Sequence, residues 1–287
     1  MLNFIEDIAD VERRHTTNAT TNTGFTLLEL LVVVAIIGVL AGLLLPALHR
    51  SKAKTATVVC ANNLRQLQIQ WTIYCDDHRD TPPPNYYSAG AGILPQFPSW
   101  IAGWVMFGET QKVMADCTNA DLIMNPKYAV MAPYFKTVDI FRCPSDRSMV
   151  TLGGKSYPRI RSVSMNFYMN SMIRDEMGNL AWYLRCPAPP HPIPPDRAVF
   201  IDENEDTVGG AAFLLQREIA TSWIDMPASR HNGRGAMSYV DGHVAFPKWT
   251  DPNVTRRPWM APRDKAGKLV TGPDFNWLCD QLMGPVQ

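Results

Sequence analysis

The hydrophobic pattern divides the front of the chain into a polar segment and a long apolar run. Residues 1–24 are polar and of mixed charge, with little periodicity after Ile8. Residues 25–48 are apolar apart from a few small polar positions, and their one charged side chain is that of Glu29. About 20 consecutive apolar residues span a bilayer as a helix, so this run predicts a transmembrane helix.

Behind Pro46 the apolar residues recur at spacings of 3 or 4 positions, which is the pattern of one helix face. The stripe consists of Ala53, Ala56, Cys60, Leu64, Leu67, Trp71 and Tyr74. The other face is polar, with Lys52 and Arg65 among its residues. The pattern predicts that the helix continues over residues 49–78 and packs one face against a folded head. From Thr26 to about Asp76 it would be about 75 Å long.

Residues 79–287 show short apolar runs separated by proline and glycine, which predicts a loop-rich head of antiparallel strands. The run from Arg197 to Asp206 reads as a buried strand that ends in an acidic turn. Asp241 and Gly242 predict a hairpin with a two-residue type I′ turn. In that register Val240 faces His243, and Tyr239 faces Val244. The fold class predicted is α+β, a long N-terminal helix on a β-rich head.

Composition excludes some classes of function. Lys+Arg and Asp+Glu both number 27, and this balance argues against a nucleic-acid-binding protein. The six cysteines include no C-x-x-C pair, so the sequence does not predict a thiolate zinc site. Whether any of them form disulfides stays open, except that Cys60 and Cys75 lie about 22 Å apart on one helix and cannot pair.

The stretch "GFTLLELLVVVAIIGVLAGLLLPAL" resembles the class III signal of type IV pilins and type II secretion pseudopilins. The resemblance implies that a prepilin peptidase cuts after Gly24 and methylates the amine of Phe25. Residues 1–24 would then be a leader peptide. The fifth mature residue is Glu29, where the family has its glutamate. The family's glutamate is thought to meet the N-terminal amine of a neighbouring subunit, which compensates a carboxylate that is costly in hydrocarbon.

Three further residues of the apolar run bear on assembly. Gly38 and Gly42 form a G-x-x-x-G pair that lets helices approach closely, although chance placement in an apolar segment explains the pair equally well. Pro46 falls where many pilins of this resemblance kink or unwind their helix. We therefore assign Glu29, Gly38, Gly42 and Pro46 to assembly.

Two further stretches resemble pilin-like proteins of Planctomycetes and Verrucomicrobia. One is "CANNLRQL", which follows the apolar run and precedes the proline-rich "DTPPPN". The other is the H-x9-D-G pattern formed by His231, Asp241 and Gly242. The resemblance assigns no role to this pattern.

The polar residues of the head do not predict catalysis. His231, Asp241, His243 and the acidic run from Asp202 to Asp206 are the one convergent set in the sequence, and turn chemistry accounts for much of it. No nucleophile elbow is present, so the sequence predicts no enzyme. It also predicts no metal or cofactor, with loop-bound calcium, which some pseudopilins use, as the alternative left open.

The resemblance implies a structural subunit, a pseudopilin or minor pilin of a type II secretion or type IV pilus-type filament. Its partners would be prepilin peptidase, other pilin subunits and the inner-membrane assembly machinery. It would cross the inner membrane once, with a cytoplasmic N-terminus and a periplasmic head, or lie in an extracellular filament. The flanking basic residues do not by themselves favour this orientation. The alternative is a binding module or enzyme that uses the helix only as a tether.

Overall fold

The computed structural model describes residues 26–86, 98–106, 111–172, 192–215, 223–255 and 272–284. The chain divides into two compact units, Met1–Arg50 and Ser51–Gln287. Helix α1, Leu27–Asp77, contributes residues to both units. Its bounds confirm the helix predicted from the apolar run and the stripe behind it.

The first unit presents apolar side chains to its surroundings. Every described residue from Thr26 to Arg50 is exposed except Ala41, which is half-buried. Among the described residues, α1 is the helix that is long and apolar enough to cross a membrane. The exposed apolar surface is what a segment surrounded by lipid or by other apolar helices requires.

The second unit combines short strands with short helices. Its strands are β1 Asn85–Tyr86, β2 Met149–Leu152, β3 Lys155–Pro158, β4 Val163–Asn166, β5 Ser171–Met172, β6 Ala198–Asp202, β7 Ala212–Phe213, β8 Met237–Tyr239 and β9 Val244–Ala245. Its further α-helices are α2 Gln111–Asp116, α3 Asp121–Met124, α4 Pro252–Thr255 and α5 Pro273–Met283. Two 3-10 turns, Ala132–Tyr134 and Asp139–Phe141, precede β2.

A five-stranded sheet in the order β7-β4-β6-β8-β9 forms the centre of this unit. The pairs β4–β6, β6–β8 and β8–β9 are antiparallel, whereas β4–β7 is parallel. Every residue of β6 is buried, as expected for a strand covered on both faces. A separate antiparallel hairpin joins β2 and β3, and β1 pairs with β5 in parallel. The predicted α+β class is confirmed.

The rear part of α1 supplies one wall of the core. Five residues of the predicted stripe are buried, namely Cys60, Leu64, Leu67, Trp71 and Tyr74. Full burial of a leucine side chain contributes about 1.5–3 kcal/mol. The stripe begins later than predicted, because Ala53 is exposed and Ala56 is half-buried. Gln68 is also buried, and it accepts a hydrogen bond of 2.9 Å from the Ser238 hydroxyl on β8.

The predicted register of the β8–β9 hairpin is wrong by one residue. Ser238 pairs with Val244, so Tyr239 lies opposite His243 and the loop has three residues instead of two. The Gly242 N–H donates to the Tyr239 carbonyl at 2.9 Å, and Gly242 has a φ of +90°. This is a type I turn closed by a glycine bulge, a turn that Asp-Gly serves as well as type I′.

Candidate functional site

The N-terminal end of α1 is closed by a reciprocal pair of hydrogen bonds between Thr26 and Glu29. The Thr26 N–H donates to Glu29 Oε2 at 2.9 Å, and the Glu29 N–H donates to Thr26 Oγ1 at 3.2 Å. The Thr26 hydroxyl adds a bond of 2.8 Å to the same carboxylate oxygen. This is a capping box, which satisfies backbone donors that a helix start leaves open. The T-x-x-E spacing is its signal, and our sequence analysis missed it.

The other predicted assembly residues lie on the exposed front of α1. A Cβ added at Gly38 or Gly42 would meet no atom of the described residues within 4 Å, so packing within the described part of the chain requires neither glycine. Pro46 lies inside the continuous helix and has no backbone N–H. The Gly42 carbonyl therefore lacks the backbone N–H four residues on that would otherwise donate to it. The predicted processing residues Gly24 and Phe25 lie outside the described residues.

Four buried side chains of the second unit bring their ligand atoms within 4.8 Å of one another. They are Cys60, Cys143, Asp202 and His231, here called the cysteine–histidine cluster. Each comes from a different segment: α1, the turn after Asp139–Phe141, the end of β6 and the turn before β8. His231 Nε2 lies 3.2 Å from Cys143 Sγ.

The pKa values of the two thiols of the cluster are shifted in opposite directions. A hydrogen bond from the Cys60 thiol is the main cause that lowers the pKa of Cys143. The same bond, together with burial, raises the pKa of Cys60 far above its ordinary value. Within this pair the sulfur of Cys143 is therefore the one that ionises first, and the Cys60 thiol is its donor.

Arg230 supplies the positive charge next to the cluster. Its guanidinium donates to Asp202 Oδ1 at 2.8 Å and to Glu205 Oε2 at 2.9 Å. Asp202 also accepts a hydrogen bond of 2.7 Å from the Ser162 hydroxyl. Ser162 Oγ in turn accepts a hydrogen bond of 3.0 Å from the Cys143 N–H. Burial raises the pKa of Asp202, and the Arg230 charge opposes that rise. The cluster is thus connected to a buried ion-pair network.

The residues of the H-x9-D-G pattern do not form a single site in the structure. His231 is buried in the cluster, whereas Asp241 and His243 lie on the exposed tip of the β8–β9 hairpin. There the Asp241 carboxylate accepts a hydrogen bond of 3.0 Å from the His243 backbone N–H. This bond is the main cause that lowers the pKa of Asp241. Asp241 and Gly242 shape a turn, and only His231 reaches the cluster.

Sequence reasoning found His231 and Asp202 but not the two cysteines that join them. Cys60 and Cys143 are far apart in the chain, and neither belongs to a recognisable ligand spacing. All five cysteines within the described residues, Cys60, Cys75, Cys117, Cys143 and Cys279, are buried, and the first four are free thiols. No local signal identifies which two of them meet.

Comparisons with known proteins point to the N-terminal segment. Residues 20–45 match the family model described as the prokaryotic N-terminal methylation motif. The chain is also similar to type II secretion system core protein G of Escherichia coli, with 32% identity over 104 residues. The match covers 36% of this chain and 72% of that protein. No solved structure matches the chain.

Proposed function

Because this chain belongs to the family of type IV pilins and type II secretion pseudopilins, we propose that it is a pseudopilin or minor pilin that assembles through the front of α1. The chain is a pilin-like subunit made as a precursor for prepilin peptidase. The apolar helix and its methylation motif indicate membrane anchoring. The family is structural, which supports a role without catalysis.

The observation that carries this proposal is a carboxylate within a fully exposed apolar helix front. Glu29 is flanked by large exposed aliphatic residues from Leu27 onward. A carboxylate in hydrocarbon costs several kcal/mol unless a cation compensates it. Thr26 supplies hydrogen bonds to Glu29 but no charge. The free amine of a neighbouring subunit's Phe25 is the cation that the filament would provide.

The proposed processing assigns each segment of the chain to a compartment. Prepilin peptidase cuts after Gly24 and methylates Phe25, so the new amine lies four residues before Glu29. The leader and this new terminus face the cytoplasm, and the head lies in the periplasm or on an extracellular filament. Other pilin subunits and the inner-membrane assembly machinery are the partners. The head, residues 79–287, is larger than many major pilins carry, which favours a pseudopilin or minor subunit.

Substitution at position 29 tests whether α1 assembles or only anchors. Glu29→Leu removes the charge and keeps the helix apolar, so we expect normal membrane insertion and loss of the subunit from sheared or purified filaments. Thr26→Ala is the matched control, because it breaks the capping box and leaves the carboxylate in place. It should weaken the helix start by about 1 kcal/mol and retain assembly.

The two variants distinguish three outcomes. Loss of assembly in Glu29→Leu alone supports charge pairing between subunits. Loss in both variants assigns Glu29 to helix capping, and the pairing proposal fails. Normal assembly of Glu29→Leu would show that the carboxylate is not needed for assembly, whereas absence of the wild-type chain from filaments would show that the segment is only a tether of a membrane-anchored binding module or enzyme.

A further inference from the structure

The cysteine–histidine cluster contains four donor atoms of the types that bind transition metals. Cys60 and Cys143 are each 1% exposed, Asp202 is 0% exposed and His231 is 7% exposed. A tetrahedral zinc ion with sulfur, nitrogen and oxygen ligands sets its donor atoms about 3.3–3.8 Å apart. The cluster already lies within 4.8 Å, with one contact at 3.2 Å. Closing the cluster around an ion therefore needs only small side-chain movements.

Thr57 sets the orientation of the histidine ring. The Thr57 hydroxyl donates to the Ala53 carbonyl at 3.0 Å, so its oxygen is left to accept from His231 Nδ1–H at 3.1 Å. This arrangement places the ring proton on Nδ1 and a lone pair on Nε2. Nε2 is the atom that faces Cys143 Sγ. Metal-binding histidines are oriented in this way, with the other ring nitrogen held by a hydrogen bond.

Asp202 has one carboxylate oxygen that no group within the described residues satisfies. Its Oδ1 accepts from Ser162 and Arg230, whereas its Oδ2 is fully buried and has no hydrogen-bond partner in the part of the chain that the structure describes. A buried carboxylate oxygen without a partner is costly, and such atoms are rare in folded proteins. A bound cation supplies the missing partner. The unsatisfied oxygen supports a cation site independently of how close the cysteines and the histidine lie to one another.

We propose that Cys60, Cys143, His231 and Asp202 bind one zinc ion in a closed, tetrahedral structural site. The two sulfurs favour a thiophilic ion over calcium or magnesium, and four protein ligands leave no open position for catalysis. Two thiolates, one carboxylate and Zn²⁺ sum to a single negative charge, which the Arg230 guanidinium balances. The site goes beyond the assembly role of α1 and rests on different residues.

The ion would join segments that are distant in the chain. Cys60 lies on the rear part of α1, Asp202 ends the central strand β6, and Cys143 and His231 lie in turns. Cys143 also lines a surface groove with Val59 and Asn63, so the cluster lies next to this groove. Zinc at this point would fix the rear of α1 to the sheet of the second unit. A chemical cross-link of this kind stabilises the folded state because an unfolded chain lacks the assembled site.

Metal analysis of the full-length protein tests the site. The chain is extracted from membranes in detergent after growth with zinc, and its zinc content is measured by plasma mass spectrometry. We expect one zinc per chain, and about a tenth or less in Cys60→Ser and Cys143→Ser. Cys117→Ser and His243→Gln are the matched controls, since one is an equally buried cysteine and the other an exposed histidine. Both should keep their zinc.

Three measurements on protein that keeps all four ligands make the test independent of any folding defect. Co²⁺ substitution of the wild-type chain should give thiolate-to-metal charge transfer and the intense visible bands of tetrahedral cobalt. Thr57→Val leaves all four ligands in place and should weaken zinc binding about 10–100-fold, because the ring loses its orienting bond. At free zinc about 100 times the dissociation constant, the melting temperature should rise by roughly 5–10 °C.

The competing arrangement is a disulfide between Cys60 and Cys143. Peptide mapping after alkylation without reductant distinguishes it, since a zinc site leaves both thiols available for alkylation once the metal is chelated. A Cys60–Cys143 disulfide in protein isolated from membranes overturns the proposal. So does metal-free protein that gives no cobalt spectrum, or zinc that is retained when both cysteines are replaced.

Discussion

Arg230 Nη1 lies 2.8 Å from Asp202 Oδ1, and this ion pair is almost completely buried. The same guanidinium donates to the Glu203 carbonyl and to Glu205, so one side chain joins the end of β6 to the turn before β8. A buried pair of this kind adds little over an apolar replacement of both partners, but removing one partner leaves an isolated buried charge.

Arg230→Met should therefore destabilise the second unit strongly. We expect a loss of about 3–5 kcal/mol in the free energy of unfolding, because Asp202 keeps its burial and loses its guanidinium. Urea unfolding followed by tryptophan fluorescence measures it. Arg234→Met is the control, since Arg234 is exposed and its side chain donates to the Phe246 carbonyl, and this variant should cost about 1 kcal/mol or less. An equal loss of unfolding free energy in both variants would show that the buried ion pair matters no more than the exposed hydrogen bond of Arg234.

Gly38 and Gly42 should matter for the filament and not for the single subunit. A Cβ meets no atom of the described residues within 4 Å at either position, so Gly38→Ile and Gly42→Ile together should leave the helix intact. If the G-x-x-x-G face packs against a neighbouring helix, the double variant should reduce filament yield by about fivefold or more, as expected for about 1 kcal/mol per contact. Val39→Ile adds one methyl group to the same turn and serves as the control. If the double variant gives the wild-type filament yield, the G-x-x-x-G spacing has arisen by chance and has no role in assembly.

Tyr239 should make the stability of the second unit depend on pH in alkali. Burial, and then the charges of Asp196 and Asp241, raise its pKa to about 12, from an unfolded value of about 10. A raised folded pKa contributes stability that is complete below pH ~10 and is lost as the pH rises towards ~12. The difference in unfolding free energy between wild type and Tyr239→Phe should be constant from pH ~7 to ~9 and should then shift by up to about 2 kcal/mol against wild type. A constant difference up to pH ~12 would show that the hydroxyl ionises normally.

Local patterns predicted those parts of the fold that depend on neighbouring residues. The spacing from Cys60 to Tyr74 identified the buried face of α1, because helix periodicity repeats every few residues. Asp241 and Gly242 located the hairpin, but they fit two turn types, and the sequence did not show that Gly242 would adopt a bulge conformation at φ +90°. The register was wrong for that reason.

The candidate site was predictable only in part, because its residues meet through tertiary packing. Glu29 was found from a contiguous signal, although its hydrogen bonds to Thr26 were not. His231 was found from a short pattern, but that pattern paired it with Asp241, which lies on the exposed hairpin tip. Cys60 and Cys143 approach His231 only after α1 packs on the sheet. No spacing in a single chain specifies such a meeting of distant segments.

The central claim is that this chain is processed and assembled as a pilin-like subunit. Mass spectrometry of the N-terminus measures this most directly, on protein isolated from membranes of a host that contains prepilin peptidase. The same host without the peptidase is the control and should yield the chain with its leader. We expect a mature chain that begins at Phe25 with a methylated amine. A chain that still begins at Met1 in the peptidase-containing host, or one cut after Leu48, would contradict it.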